Sequence, residues 1–195
     1  MYTIKEIFYS LQGEGFYTGR PAVFCRFSGC NLSCEWCDTD FQGTNGPRGG
    51  QYKTAQRLAY AIDAMSNNCR FVVFTGGEPL LQLDMPLCNE MHDLGFEGAA
   101  ETNGTVEACT GINWLTMSPK AGVETVLKHG DELKLVFPQQ DMYPDCWADN
   151  HFGHFYLQPM DGPDITTNTQ RAIDYCLKHP QWHLSTQVHK TIGVK

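Results

Sequence analysis

The chain has 195 residues, 42% of them apolar and 18% charged, which is typical of one globular domain and excludes a disordered chain. The net charge is −8 without a run of Lys or Arg, so nucleic acid and anionic membranes are disfavoured partners. No apolar stretch approaches the roughly 20 residues of a membrane helix. The N-terminus also lacks the pattern of a secretory signal. We therefore expect a cytoplasmic protein.

Strands and helices are predicted to alternate along the chain. The predicted strands are 21–27, 70–75, 98–102, 114–118, 132–137, 155–159 and 183–188. The predicted helices are 54–67, 80–94 and 168–179, with Thr54 as an N-cap, a restart near Pro86 and weaker helices elsewhere. The glycine-rich segment 41–53 is expected to be a loop.

Alternation of this kind indicates parallel strands joined by right-handed crossovers. The predicted six or seven core strands are too few for a closed eight-stranded barrel of about 250 residues. The fold class is therefore α/β: a partial, open (β/α) barrel of about six parallel core strands, forming one domain over 1–195. Polar and glycine residues follow the predicted strand ends, and this edge of a β/α barrel builds the active site.

Three of the nine cysteines are crowded together. Cys30, Cys34 and Cys37 have the spacing CxxxCxxC, which lets their thiolates hold one soft metal centre. A zinc site would need a fourth ligand, and the nearest candidates are the hard oxygen donor Asp38 and Cys25 within a predicted strand. A zinc loop remains an alternative. Three ligands on an iron–sulfur cluster would leave one iron open to a cofactor. The other six cysteines are scattered singly and are expected to be small buried hydrophobic residues.

Two motifs carry a resemblance to a known superfamily. Trp36 fills the aromatic position of CxxxCx(aromatic)C, and Gly76-Gly77-Glu78-Pro79 follows a predicted strand. Together they resemble the radical S-adenosylmethionine (SAM) superfamily. That resemblance implies a modified radical SAM core with a 4Fe–4S cluster on Cys30, Cys34 and Cys37, and SAM as cofactor.

Further segments resemble 7-carboxy-7-deazaguanine synthases, in order from about Ile7 to Lys195. They are Leu11-Gln12-Gly13-Glu14-Gly15, Gly19-Arg20-Pro21-Ala22, Arg26, Cys37-Asp38-Thr39, Thr75 before the glycine pair, Glu101-Thr102-Asn103-Gly104, Ser118-Pro119-Lys120, Gln158-Pro159-Met160 and His189-Lys190. The family implies a Mg²⁺-assisted reaction in queuosine and related 7-deazapurine biosynthesis. A 5′-deoxyadenosyl radical takes hydrogen from C6 of 6-carboxy-5,6,7,8-tetrahydropterin, the ring contracts, ammonia leaves and the hydrogen is returned.

The same resemblance implies the roles of individual residues. Cofactor contacts are expected from Trp36, Cys37, Asp38, Gly76, Gly77, Glu78, Asn103, Ser118, Pro119, Lys120 and Gln158. Thr39 is expected to bind Mg²⁺. Substrate contacts are expected from Leu11, Gln12, Gly13, Glu14, Arg26, Thr75, His189 and Lys195, the last through its backbone end. No side chain is assigned as a catalytic group, because the bound cofactors carry the chemistry.

Each role has a structural alternative. The planar guanidinium of Arg26 suits a pterin carboxylate, and the alternative is a surface or core ion pair. Gln12 and Glu14 match the polar edge of the pterin, or could belong to a turn. Thr75 could cap a strand end. Ser118, Lys120 and Gln158 could make ordinary loop hydrogen bonds, and His189 could be a satisfied loop histidine.

Partners and competing functions complete the expectations. The resemblance implies a flavodoxin- or ferredoxin-type reductant and a homodimer. A glycyl-radical enzyme activase and a non-catalytic iron–sulfur module remain alternatives. The short, glycine-rich segment 41–51 stands where the family has its first helix.

Overall fold

A computed structural model describes residues 1–147 and 151–195. Its strands are β1 Tyr2–Leu11, β2 Pro21–Phe27, β3 Gly50–Tyr52, β4 Phe71–Gly76, β5 Glu97–Thr102, β6 Trp114–Met117, β7 His129–Phe137, β8 His151–Pro159 and β9 Trp182–Leu184. Its α-helices are α1 Ala55–Asp63, α2 Met85–Asp93, α3 Ile165–Lys178 and α4 Val188–Ile192. Short 3₁₀ turns lie at Pro79–Leu81 and Pro144–Trp147. None of the described helices is long and apolar enough to cross a membrane.

The strands form one open sheet in the order β3-β1-β2-β4-β5-β6-β7-β8-β9. From β2 onward every neighbouring pair is parallel, whereas β1 pairs antiparallel with both β2 and β3. The prediction of a partial, open α/β barrel is confirmed. The parallel part has seven strands, β2 and β4–β9, against a prediction of about six.

Two strands are absent from the sequence predictions, and β1 shows why. Its register shifts between Ile4 and Glu6, so a bulge replaces the regular alternation of side chains. Lys5 and Glu6 are consequently both buried in the cavity wall described below. Two adjacent buried charges hide the apolar pattern that announces a strand. The three-residue β3 lies inside the predicted loop 41–53, and it pairs with the start of β1.

The helices follow local capping signals. Thr54 caps α1 as predicted, because its hydroxyl accepts the Arg57 N–H at 3.3 Å. The expected restart near Pro86 is confirmed: Asp84 accepts the Leu87 N–H at 3.1 Å and begins α2 after the 3₁₀ turn. The predicted third helix begins earlier, at Ile165.

The carboxyl-terminal part differs from prediction in two ways. The predicted strand 183–188 is wrong beyond Leu184, since β9 ends there and Val188 begins the helix α4. Among the described residues, no α-helix lies between β5 and β8, where weaker helices were expected. The site side of the barrel is therefore covered by loops and by α4.

Candidate active site

A cavity of about 900 Å³ opens inside the barrel. The loop that carries the three cysteines lines it, together with the ends of β4–β6, β7, β8, the loop after β1, and α4. All the predicted site residues line this cavity except Glu78 and Pro119. The structure thus brings together residues that are up to 184 positions apart, from Leu11 to Lys195.

The cysteine loop follows β2 directly. Cys30, Cys34 and Cys37 are free thiols, with Cys30 and Cys34 half-buried and Cys37 exposed. The Cys37 N–H donates to the Cys34 carbonyl at 3.1 Å, which closes a tight turn between these two cysteines. Burial raises the pKa of the Cys34 thiol, and the nearby Lys120 partly offsets this.

The glycine pair after β4 is required by close backbone approach. Gly76 has φ +129°, and a Cβ there would collide with the Phe27 carbonyl. A Cβ on Gly77 would collide with the Gly29 carbonyl and with Cys30. The Glu78 N–H donates to the Gly29 carbonyl at 3.0 Å. The glycines therefore let the end of β4 press against the start of the cysteine loop.

Glu78 lies behind the cavity wall. Its side chain is fully buried and its carboxylate accepts from the Leu80 N–H at 2.9 Å, the Thr102 hydroxyl at 2.8 Å and the Asn103 N–H at 2.7 Å. Burial raises the pKa of this carboxyl, and the donors from Asn103 and Leu80 act against that rise. Glu78 thus braces β5 against β4. Neither Glu78 nor Pro119 reaches the cavity, which argues against both as direct cofactor ligands.

The cofactor side of the cavity is held by short polar contacts. Asn103 donates to the Asn31 side chain at 3.0 Å and so ties β5 to the cysteine loop. The Lys120 ammonium donates to the carbonyl and hydroxyl of Ser118, both at 2.7 Å, and lies 5.4 Å from the centre of the Trp36 ring. Burial lowers the pKa of Lys120 to about 8, with Cys34 acting in the opposite direction.

The floor of the cavity is a network of buried polar groups. Glu101 accepts from the Gln12 amide at 3.1 Å and from the Thr75 hydroxyl at 3.0 Å. Lys134, on β7, pairs with Glu14 and lies 3.4 Å from Glu101. Three predicted substrate residues, Gln12, Glu14 and Thr75, therefore meet through Glu101 and Lys134. Glu101 belongs to a resembling segment but was given no role from sequence, and Lys134 was not placed in the site at all.

The loop after β1 reaches across the open side of the barrel. The Gly15 N–H donates to the Ser185 hydroxyl at 2.9 Å, and the Val188 N–H donates to the Gly13 carbonyl at 3.0 Å. The Ser185 hydroxyl in turn donates to Gln158 at 3.2 Å. The His189 ring lies so close to Gly13 that a Cβ there would collide with it. These contacts close the gap between β1 and β9.

Arg26 has an anionic partner inside the protein. Its Nε donates to Glu6 at 3.0 Å, and the Lys195 ammonium also pairs with Glu6. The ion-pair alternative for Arg26 is therefore realised. Among the described contacts, Arg26 uses only Nε, so its two terminal nitrogens are available to a ligand. Lys195 faces the cavity with its side chain, whereas the resemblance implied its backbone end.

The wall beside Arg26 is aromatic. Phe8 and Phe24 both line the cavity, with ring centres 5.0 Å apart and planes 8° from parallel. The Arg26 guanidinium lies 5.7 Å from the Phe8 ring centre. A flat heterocycle with a carboxylate would find an apolar face and a cation here.

Asp38 and Thr39 lie where the cysteine loop meets α4. Asp38 accepts from Gln187 at 2.9 Å and from Lys190 at 2.6 Å, while Lys190 also pairs with Asp161 at 2.5 Å. The Thr39 hydroxyl lies 3.4 Å from Asp38 and lines the cavity. Although burial acts to raise it, the pKa of Asp38 is lowered by Lys190 and Gln187.

The three thiols fit a cluster better than a single ion. Within residues 1–147 and 151–195, no three Cys, His, Asp or Glu side chains converge as one metal ion requires. A zinc ion would draw its ligands to about 2.3 Å from one point. In a 4Fe–4S cluster each thiolate binds a different iron, so the sulfurs stay apart. Three free thiols on one cavity wall satisfy that requirement. No preformed Mg²⁺ cage exists among the same residues, and Mg²⁺ commonly keeps several waters instead.

Lys134, Gln187 and Lys190 were not assigned to the site from sequence. A signal existed for Lys134, because Glu132 and Lys134 alternate within an otherwise apolar predicted strand and so share one face. Gln187 and Lys190 lie at the end of the predicted strand 183–188, on the edge expected to build the site, but neither was given a role there.

Comparisons with known proteins agree with this geometry. The family model described as "Radical SAM superfamily" matches residues 25–131. The chain is 52% identical over 208 residues to a 7-carboxy-7-deazaguanine synthase of Bradyrhizobium diazoefficiens, covering 100% of this chain and 99% of that protein. It is 41% identical over 197 residues to one of Bacteroides thetaiotaomicron, covering all of both.

A solved structure gives the same result. The crystal structure of QueE from Escherichia coli matches with a TM-score of 0.77 at 30% identity, covering 96% of this chain and 94% of that one. The open barrel, the three-cysteine loop and the family match define a radical SAM enzyme. The full-length similarity is more specific still. The chain belongs to the family of 7-carboxy-7-deazaguanine synthases.

Proposed function

We propose that this chain converts 6-carboxy-5,6,7,8-tetrahydropterin to 7-carboxy-7-deazaguanine with loss of ammonia, assisted by Mg²⁺. The observation that carries the proposal is that the three-cysteine loop and the polar floor face one cavity. Its volume of about 900 Å³ can hold a nucleoside-sized cofactor beside a bicyclic substrate. Full-length similarity to proteins named for this activity supports the assignment.

In this proposal the cofactor side of the cavity is built from the cysteine loop and the ends of β4–β6. Cys30, Cys34 and Cys37 would hold the 4Fe–4S cluster. Trp36, Asp38, the glycine pair, Asn103, Ser118, Lys120 and Gln158 would surround SAM. When bound, the reduced cluster and SAM supply a carbon radical that abstracts hydrogen from the substrate. The chain's own contribution is to place the substrate against that radical and exclude water.

The substrate side follows from charge and shape. Phe8 and Phe24 offer a stacked aromatic wall, and the free terminal nitrogens of Arg26 suit the pterin carboxylate. Gln12, Glu14 and Thr75 would read the donors and acceptors of the ring edge. Leu11, Gly13 and His189 would complete the wall, with Lys195 near Glu6. The Thr39 hydroxyl would bind Mg²⁺, and oxygens of the substrate would bind the same ion.

The partners belong to the same proposal. A flavodoxin or ferredoxin would deliver the electron, and the exposure of Cys37 supports an approach from its side of the cysteine loop. Nine free cysteines suit a reducing cytoplasm. A homodimer is proposed from family resemblance. No observation specifically favours an activase or a non-catalytic iron–sulfur module.

The test is an anaerobic assay of the reconstituted enzyme. Protein loaded with iron and sulfide is incubated with reductant, SAM, the carboxypterin and Mg²⁺, and products are identified by mass spectrometry. We expect 7-carboxy-7-deazaguanine and ammonia, with less product when Mg²⁺ is chelated. The Cys34→Ala variant, which should lack a complete cluster, is expected to make none. SAM cleavage without any deazapurine would contradict the proposed substrate.

A further inference from the structure

One buried lysine lies at the centre of the cavity floor. Lys134 is 5% exposed and its ammonium pairs with Glu14 from the loop after β1 and with Glu101 from β5. Glu132, two residues earlier on the same face of β7, is also buried, but one of its oxygens already accepts the Phe16 N–H at 3.1 Å. A single cation therefore faces three carboxylates, and it contacts two of them directly.

Lys134 also joins the residues proposed to read the substrate. Glu101 accepts from Gln12 and Thr75, and Glu14 accepts from Gln187 at 2.9 Å. Each carboxylate oxygen can accept two hydrogen bonds. After these contacts, both Glu14 and Glu101 keep acceptor capacity for a ligand in the cavity, which both residues line.

Burial disfavours the charged form of a carboxylate, so Glu14 needs a nearby cation to stay ionised. Burial acts to raise the pKa of Glu14, but the charge and hydrogen bond of Lys134 bring it below its usual value, helped by Gln187 and His189. Burial likewise acts to lower the pKa of Lys134, and Glu101, Glu14 and Glu132 overcome this and raise it. Lys134 and Glu14 therefore each favour the charged form of the other.

We propose that Lys134 is a positioning residue that fixes Glu14 and Glu101 as paired hydrogen-bond acceptors for the amino-pyrimidinone edge of a pterin. That edge presents adjacent N–H donors, which two carboxylates match and a protonated carboxyl does not. The contacts of Lys134 hold both carboxylates in place, and its charge favours the ionised form of Glu14. The inference rests on the proposed function and adds a residue that determines which heterocycle the site accepts.

Three substitutions test this role in the reconstituted enzyme. Lys134→Met removes the charge at similar length, Lys134→Arg keeps the charge but changes its geometry, and Lys128→Met is the control at an exposed lysine just before β7. Product formation is measured against pterin concentration from about pH 6 to 9, the range in which a perturbed carboxyl would titrate. SAM affinity is measured separately by equilibrium binding.

For Lys134→Met we expect the KM for the pterin to rise about ten-fold or more, because Glu14 and Glu101 are no longer held in place as hydrogen-bond acceptors for the pterin. SAM affinity should stay at the wild-type value. The kcat/KM of Lys134→Met should also fall as pH drops below neutral, because Glu14 loses its counter-charge and becomes protonated there. This fall is the acid limb of the pH profile. Lys120, the other cation near Lys134, and His189, near Glu14, remain in the variant and cannot replace a direct pair. Lys134→Arg should raise KM without the limb, and Lys128→Met should match wild type.

A wild-type KM and pH profile in folded Lys134→Met would overturn the proposal. If that variant does not fold, Lys134→Arg with wild-type KM overturns it instead. The double variant Glu14→Gln with Lys134→Met should keep the high KM and lose the acid limb, and a persisting limb would exclude Glu14 as its source. Wild-type protein that converts no pterin refutes the proposed function and this role with it. Pterin turnover that is unaffected in the Lys134 variants refutes this role alone.

Discussion

Glu78 could either brace β5 against β4 or bind SAM directly, and its hydrogen bonds support the bracing role. Its Oε1 accepts from Leu80 and Thr102, and its Oε2 accepts from the Asn103 N–H at 2.7 Å. In Glu78→Gln the amide oxygen can replace Oε1, but the amide nitrogen must then face the Asn103 N–H. One charge-assisted bond is lost and one buried donor is left without an acceptor.

The loss can be converted into a measurable shift. A hydrogen bond to a charged group contributes about 1.5–3 kcal/mol. In a chain of this size each kcal/mol moves Tm by about 2–4 °C. We expect the reconstituted Glu78→Gln variant to melt about 3–12 °C below wild type. The matched control is Glu107→Gln, since Glu107 is exposed and should leave Tm unchanged.

Thermal melting and equilibrium SAM binding are both needed to assay this variant. A bracing role predicts that the loss of stability exceeds any change in SAM affinity. The reasoning would be refuted by a variant that melts with wild type but binds SAM about ten-fold more weakly, a difference of about 1.4 kcal/mol. That result would make Glu78 a direct ligand.

Three further predictions follow from particular contacts. Arg26→Ala should raise the KM for the pterin by about 10- to 100-fold, the value of one bidentate charged pair, while uncoupled SAM cleavage is unchanged; the control is the exposed Arg57→Ala, and equal losses in both activities would contradict the assignment. Gly77→Ala should lower the iron content after reconstitution and cost about 1–3 kcal/mol of stability, because its Cβ would displace the cysteine loop; wild-type iron content and Tm would argue against the close approach. Glu97→Gln should cost about 0.5–1 kcal/mol at neutral pH, since Arg20 lies 2.6 Å away at a partly exposed site. Arg20 holds the pKa of Glu97 below its usual value, so this cost should be present above about pH 4.3 and vanish as pH falls through the lowered pKa. Denaturation of the variant and of wild type at several pH values measures this cost. A cost that does not depend on pH would exclude the Arg20–Glu97 pair as its origin.

The parallel part of the sheet is largely predictable from sequence. Buried parallel strands give continuous apolar segments, and the predicted strand at 70–75 matches β4 Phe71–Gly76 within a residue. The helix starts at Thr54 and Asp84 follow from side-chain capping, which is local. These features need no knowledge of distant contacts.

The antiparallel edge is not predictable in the same way. In β1, Lys5 and Glu6 are buried because their partners come from elsewhere: Lys5 donates to Asp40 at 2.6 Å and Glu6 pairs with Arg26. A sequence pattern treats a charged pair as solvent-facing. Only the folded chain supplies the partners that make its burial tolerable.

In the candidate site, too, the residues within motifs were predictable and those defined by distant contacts were not. Motif spacing predicted that Cys30, Cys34 and Cys37 act together, and all three line the cavity. It could not reveal that Glu78 in the neighbouring motif is fully buried and hydrogen-bonded to Leu80, Thr102 and Asn103, because those contacts depend on the folded chain. Nor could it place Lys134, whose meaning depends on Glu14, 120 residues away in sequence.

Radical chemistry and pterin recognition are proposed to occur in one cavity, and transfer of an isotope tests this most directly. The reconstituted enzyme is given carboxytetrahydropterin deuterated at C6, and SAM and 5′-deoxyadenosine are recovered after turnover. We predict deuterium at the 5′ carbon of the recovered nucleoside, accompanied by 7-carboxy-7-deazaguanine. Turnover to product with no deuterium in either nucleoside would contradict direct hydrogen transfer within this cavity.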